Sequence, residues 1–281
     1  MKNKLNSVSS PAKVVLITGS SSGIGRSTAI EFARNGWQVI ASMRSPEHEL
    51  ELGHQPNISL LKLDVTDAAS IASAIEVIES KFGRIDVLVN NAGYGLMGAF
   101  EETDDEQIRR QFDTNVFGLM KLTRAVLPLM RRAGQGRIIN ISSIGGKIGI
   151  PLYSSYHATK FAIEGFSESL SFELAPFGID VALIEPGAIA TEFLGRSADF
   201  AKREGESPYQ KYFERVNLAY GKAAAGGSKP TVVARKIVKV AGQKRPKFRN
   251  PVGGGAEILM GLRKLLPDCA IRGLVSQQTS G

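Results

Sequence analysis

The sequence predicts an α/β fold: a doubly wound parallel sheet with helices on both faces, in a single domain that carries a helical lid. Three observations predict it. Apolar runs of strand length alternate with segments of helical period over the first 187 residues. The runs are apolar at nearly every position, as strands covered on both faces must be. A glycine-rich turn joins the first run to the first helix. Right-handed crossovers wind such units into one sheet.

"KVVLITG" reads as a buried strand and "GIGRSTAIEFARNG" as a helix stopped by Gly36. "WQVIASM" and "ISLLKLDV" are the second and third strands, and "DAASIASAIEVIESKFG" is a helix capped by Asp67. "IDVLVNNAG" is the fourth strand, residues 104–133 a long helix, "GRIINISS" the fifth strand, residues 154–175 another helix, and "IDVALIEPG" the sixth strand. Residues 188–229 break the rhythm. They are long for a connection, and "YQKYFERVNLAY" within them has helical spacing, so they read as a lid over the carboxyl edge of the sheet. Tyr209, Tyr212, Phe213 and Tyr220 either pack that lid onto the body or line a pocket beneath it. Residues 230–281 form a C-terminal extension with the helix "TVVARKIVKVAG", a short edge strand and a last helix, while residues 1–12 read as a flexible lead to a domain spanning 13–281.

Composition narrows the chemistry. With 281 residues and 43% apolar content the chain can bury a sizeable core. One cysteine, Cys269, excludes an internal disulfide and a multi-cysteine metal site, and His48, His54 and His157 show no ligand spacing, so no metal is expected. The lead lacks the apolar core of a secretion signal and no run reaches membrane-spanning length, so a cytoplasmic protein is expected. The net charge of +8 is unevenly placed: residues 201–281 hold 16 Lys and Arg against 5 Asp and Glu. No nucleic-acid motif accompanies that excess, so no nucleic-acid partner is expected, and peripheral contact with an anionic membrane stays open.

The first chemical signal is "TGSSSGIG", Thr18 to Gly25, between a strand and a helix. Gly19 allows the sharp turn, Gly23 a close backbone approach to pyrophosphate, and Gly25 tight helix packing. Ser21, Ser22 and Ile24 place free N–H groups of the first helical turn toward the anion. The spacing is G-x-x-x-G-x-G. At the end of the second strand, where an acid would bind an unphosphorylated ribose, stand Met43 and Arg44. Arg44, helped by Ser42 and Ser22, suits a 2′-phosphate, which favours NADP(H) over NAD(H). Asp64, beside Val65 at the end of the third strand, either accepts from an adenine amino group or caps a turn.

"YHATK" sets Tyr156 and Lys160 one helical turn apart, either as a proton donor with the cation that tunes it or as a plain amphipathic pair. Ser143 lies thirteen residues upstream of Tyr156, just past the fifth strand, at the same carboxyl edge as the glycine turn.

With "LDVTD", "NNAG" at Asn90 to Gly93, "DTNVFG" around Asn115 and "PG" at Pro186 and Gly187, these segments cover nearly the whole chain. In that order and spacing it resembles the classical short-chain dehydrogenase/reductase family, and within it the NADP-preferring branch of hydroxysteroid and retinol dehydrogenases. The resemblance implies a Rossmann-type fold and exchange of hydride and proton between a carbonyl and a nicotinamide. It implies that Tyr156 gives or takes the proton, that the Lys160 cation brings the phenol toward working pH, that Ser143 orients the reacting oxygen, and that Asn115 holds a water linking Lys160 to solvent. A structural alternative for Asn115 is a side chain satisfying a local carbonyl at a helix kink. By the same resemblance Asn91, Ala92 and Gly93 steady the sheet and touch the adenosine ribose, while Pro186, Gly187 and Thr191 meet the nicotinamide end. His157 reads as a packing neighbour rather than a second acid, and Ser142 lacks the thirteen-residue interval.

An apolar ketone, aldehyde or alcohol is the expected substrate, since the lid offers Phe193, Leu194, Phe200, Tyr209, Phe213 and Leu218. The alternatives are a cofactor-binding regulator without turnover, and a nucleic-acid or membrane-surface binder using the basic C-terminal region. Phe112, Val116, Leu119, Leu122, Phe161, Phe166 and Leu170 recur on the two long helices, which the resemblance packs against symmetry mates in a homodimer or homotetramer.

Overall fold

The computed structural model describes residues 12–191, 198–201 and 206–279. Residues 1–11 of the expected lead, and Phe193 and Leu194 of the expected lid, lie outside the described residues. The chain runs β1 (Val14–Thr18), α1 (Gly23–Arg34), β2 (Gln38–Met43), β3 (Ile58–Lys62), α2 (Ala68–Phe82), β4 (Val87–Asn90) and β5 (Gly95–Met97). It continues through α3 (Asp105–Phe112), α4 (Leu119–Ala133), β6 (Gly136–Ile141), α5 (Ser154–Leu174), β7 (Ile179–Pro186) and β8 (Ala198–Phe200). Then follow α6 (Gln210–Ala225), α7 (Pro230–Gly242), β9 (Arg249–Val252), α8 (Ala256–Leu265) and α9 (Asp268–Thr279).

The main sheet has the order β3-β2-β1-β4-β6-β7-β9, and every pairing in it is parallel. Strand alternation builds two cores from one sheet. Val15 and Ile17 of β1 point into the layer under α1 and α7, whereas Val14 and Leu16 point into the layer under α2, α4 and α5. Helix ends follow local chemistry: Asp67 accepts from the Ala69 N–H, and Gly83 closes α2 at a φ of 69°. Strand order reverses between β1 and β4, and a crevice opens there at the carboxyl edge.

Three features depart from the expected pattern. The long helix is not uniformly α: Asp113–Gly118 make a π turn between α3 and α4. A second, two-stranded sheet pairs β5 with β8, because Gly98 lets the lid approach so closely that a Cβ there would lie 2.3 Å from that of Ala201. The tail folds as α8 and α9, joined through Ile148, Met260 and Ile271. Within the lid, α6 packs Tyr209, Tyr212, Phe213 and Tyr220 against the cluster around Met97, Leu152 and Tyr153.

Candidate active site

The glycine turn is a built cradle. Gly19 and Gly23 take φ values of 67° and 54°, and a Cβ on Gly25 would stand 2.2 Å from the Gly19 carbonyl oxygen. The end of β4 fastens the turn in place. The N–H groups of Asn91 and Ala92 donate to Thr18 Oγ1 at 3.0 and 2.9 Å, and Asn91 Nδ2 donates to the Thr18 and Gly19 carbonyls. The first turn of α1 opens onto a cleft of about 600 Å³ lined by Gly23, Ser27, Ala190 and Thr191. Thr191 faces the turn, its Cγ2 lying 3.6 Å from where a Gly23 Cβ would be. A dinucleotide pyrophosphate fits this cradle, because the backbone is bare where the anion would sit and helix N–H groups point at it.

At the end of β2 Arg44 is exposed, free to reach a ligand at the sheet edge. Ser42 differs from its expected role. It is buried and its hydroxyl donates to the Ile17 carbonyl at 3.0 Å, tying β2 to β1. Asp64 takes the turn-capping alternative, accepting from the N–H and hydroxyl of Thr66 at 2.9 and 2.7 Å. Val65 is buried under the π turn, where a Cβ on Gly118 would meet it at 2.8 Å. Gly187 donates to the Val252 carbonyl, and only a glycine fits there, 2.5 Å from the Gly253 oxygen as measured to its missing Cβ.

The second half of the site stands on the first turns of α5. Leu152, just ahead of that helix, holds a left-handed φ of 65°, and its carbonyl is fixed by the Gly98 N–H at 2.9 Å. Tyr156 is hydrogen-bonded to Ser143, whose Oγ also accepts from the Gly145 N–H at 3.0 Å. Lys160 is buried, its Nζ 5.6 Å from the centre of the Tyr156 ring and 2.9 Å from the Ile141 carbonyl oxygen to which it donates. Tyr156, Ser143 and Lys160 therefore meet as the sequence predicts. The expected lowering of the phenol does not: burial pushes Tyr156 up to about 12, against the Ser143 hydrogen bond. Burial also draws Lys160 down to about 8, with the Glu164 charge opposing it.

The side chain of Asn115 takes the helix-kink alternative and is committed to local groups. Its Oδ1 accepts from the Tyr94 N–H at 3.0 Å, and its Nδ2 donates to the Tyr94 carbonyl and to Thr159 Oγ1 at 2.9 and 3.2 Å. The amide satisfies the local backbone at the π turn, and Gly93 leaves room for it, since a Cβ there would lie 3.0 Å from Oδ1. His157 is the packing neighbour expected, and also a clamp: its ring bonds the Gly145 carbonyl and the Ile150 N–H.

Beyond Tyr156 the surroundings are apolar. Met97, Gly98, Phe200, Ala201 and Phe213 line a cavity of about 310 Å³ between the body and the lid. Phe200 and Phe213 line this cavity, whereas Leu218 is exposed on α6. Sequence reasoning missed the charged cluster of Glu164, Glu185 and Arg249 behind Lys160. One signal was available, a glutamate four residues after Lys160 on the same helix.

Comparison with known proteins places these features in a family. The profile of the short chain dehydrogenases matches residues 13–201. A 3-ketodihydrosphingosine reductase of Bacteroides thetaiotaomicron is 40% identical over 258 residues, covering 91% of this chain and 94% of that one. Retinol dehydrogenase 8 of Bos taurus is 38% identical over 272 residues, covering 91% and 86%. The structure of ElxO with NADP bound superposes with a TM-score of 0.74 at 31% identity, covering 88% of this chain and 99% of that one.

Proposed function

The chain belongs to the short-chain dehydrogenase family, and from that premise we propose that Tyr156, Ser143 and Lys160 carry its reaction. It is an oxidoreductase that interconverts a carbonyl and an alcohol with NADP(H), the cofactor held by ElxO. The observation that carries the site assignment is the phenol of Tyr156 bonded to Ser143, with Lys160 one turn behind it, at the sheet edge where the glycine cradle opens.

When bound, NADPH supplies a hydride to the carbonyl carbon. The chain handles the oxygen. Tyr156, kept protonated by burial, donates its Oη proton as the oxygen becomes an alcohol, and the Ser143 hydroxyl orients that oxygen. The Lys160 cation stabilises the phenolate left behind. Alcohol oxidation runs these roles in reverse. In this reading Gly19, Ser22, Gly23, Ile24 and Thr191 bind the cofactor's phosphates and nicotinamide end, and Arg44 its 2′-phosphate.

The substrate is an apolar ketone, aldehyde or alcohol seated against Met97, Phe200 and Phe213 under the lid to which β8 and α6 belong. Relatives named for 3-ketodihydrosphingosine and for retinol support that class. A homodimer built on α4 and α5 completes the reading, as does a cytoplasmic setting in keeping with the free Cys269 thiol. No helix among the described residues is long and apolar enough to cross a membrane. The test is turnover: NADPH and a panel of apolar ketones and aldehydes should yield oxidised cofactor, and Tyr156→Phe should lower kcat at least about a hundredfold. Near-normal turnover by that variant would remove Tyr156 from the reaction.

A further inference from the structure

Behind Lys160 lies a buried charge cluster that the reaction as described does not use. Glu164 follows Lys160 by one turn of α5, and Glu185 stands near the end of β7; each is 2% exposed. Each also has an Oε1 atom that is buried and meets no hydrogen-bond partner among the described residues. The cations come from other elements. Arg249 of β9 reaches Glu164 at 3.1 Å and Glu168 at 2.8 Å, and lies 3.9 Å from Glu185. Lys147, in the loop after Ser143, lies 3.4 Å from Glu164, and Lys264 of α8 adds its field at Glu185. Ser142, whose buried Oγ has no hydrogen-bond partner among the described residues, and Glu164 both crowd the space beside Gly146: a Cβ there would meet them at 2.8 and 2.9 Å.

Two buried carboxyls beside each other are costly unless one is neutral or both are paired. Among the described residues Glu164 has two direct ion pairs and Glu185 only the distant one, so the cations gather on Glu164. Lys160 poses the complementary problem. A carbonyl dipole at Ile141 does not neutralise a buried ammonium, and of the two cluster carboxylates on its own helix Glu164 is the one a single turn away.

We propose that Glu164 is a positioning residue of the proton relay: its carboxylate, anchored by Arg249 and Lys147, keeps the buried Lys160 ammonium charged and so couples the active site to the C-terminal strand β9. The proposal rests on the reading of Tyr156 and Lys160 given above. It also gives β9 a chemical task, since the Glu164 charge depends on a guanidinium contributed 85 residues later in the chain.

The pH dependence of carbonyl reduction tests it. In the full-length protein kcat/KM should fall at alkaline pH as Lys160 loses its proton. Glu164→Gln, nearly isosteric, should move that alkaline limb down by about one pH unit or more, because the ammonium loses its compensating anion while Arg249 and Lys147 remain. Glu164→Asp should leave the limb near its wild-type position. Lys147→Met, at a partly exposed site, loosens one anchor of Glu164 and should move it down as well, by a few tenths of a unit, roughly the strength of one screened charge. A lowered plateau with an unmoved limb in Glu164→Gln would make Glu164 merely structural and overturn the proposal. If Glu164→Gln does not fold, an unmoved or upward-shifted limb in Lys147→Met overturns it. Turnover retained by Tyr156→Phe and Lys160→Met would instead sink the active-site reading itself, a separate outcome.

Discussion

His157 joins Gly145 through a 2.7 Å hydrogen bond from its Nδ1 to the carbonyl oxygen, while its Nε2 accepts the Ile150 N–H at 3.0 Å. The two bonds fix one neutral tautomer, with the proton on Nδ1. They also clamp the loop after Ser143 onto the helix that carries Tyr156, so two residues of the site are registered by the side chain between them. Gly145 has no side chain for a reason: a Cβ there would lie 2.6 Å from Nδ1.

Replacing His157 by Phe keeps the bulk of the ring and removes both bonds. Leaving the Gly145 carbonyl and the Ile150 N–H unpaired should cost roughly 2 kcal/mol of stability, and a slack loop should lower kcat about tenfold or more. Chemical unfolding and steady-state kinetics check both. Wild-type values of the two would show that the clamp is idle. The acid side has its own sign. Burial holds the imidazole below its ordinary 6.5, so its contribution to stability is present above that value and is lost as pH falls through the folded pKa.

Glu185 works in the other direction. Burial, reinforced by the Glu164 carboxylate, raises it from 4.5 to about 7. The folded state holds a proton that the unfolded chain releases between those values, so this contribution is full below 4.5 and disappears as pH rises through about 7. Glu185→Gln cannot titrate. At pH 8 it should be more stable than the wild type by up to roughly 3 kcal/mol, and the difference should vanish near pH 4. Thermal melts across that range would show it, and parallel profiles for the two proteins would refute it.

How much of this was legible in the sequence follows from the range of the interactions. The strands of the main sheet, the glycine turn and the Ser143, Tyr156 and Lys160 set depend on local pattern and on fixed intervals, so the sheet and the meeting of these three side chains were legible. What stayed hidden is long-range. The β5–β8 pair needs Gly98 to meet Ala201, and the Arg249 to Glu164 bond spans α5 and β9. Ser42 is placed by its position at the end of the second strand and Asn115 by the resemblance, while the partners of their side chains, Ile17 and Tyr94, are set by tertiary contact. The π turn at Asp113–Gly118 was legible only as the helix kink offered for Asn115.

Arg44 gives the cofactor prediction. It is exposed at the end of β2, where the ribose of a dinucleotide in the glycine cradle would lie. Arg44→Asp replaces attraction for a 2′-phosphate with repulsion. NADPH should bind at least about tenfold more weakly while NADH changes by less than about threefold. Calorimetric titration of both cofactors separates the cases. An equal loss for the two would mean that the substitution disturbed the fold of the cradle rather than phosphate recognition.

The last prediction concerns assembly. Of the recurring apolar positions on the two long helices, Val116, Leu119, Leu122 and Leu170 are internal core. What the long helices leave outside is different: Phe161 and Phe172 are 48% and 74% exposed on α5, and Phe117, on the π turn, is 47% exposed. Phe161 and Phe172 are eleven residues apart, close to three full turns, so they share one face of the helix that bears Tyr156 and Lys160. Two copies packing that face together would cover both rings and brace the catalytic helix from behind. Light scattering should therefore give at least twice the chain mass of 30.2 kDa. Phe161→Glu with Phe172→Glu should yield a monomer with reduced kcat, because the brace is gone. A wild-type monomer with full activity would remove the dimer from the reading and leave the chemistry of Tyr156 as it stands.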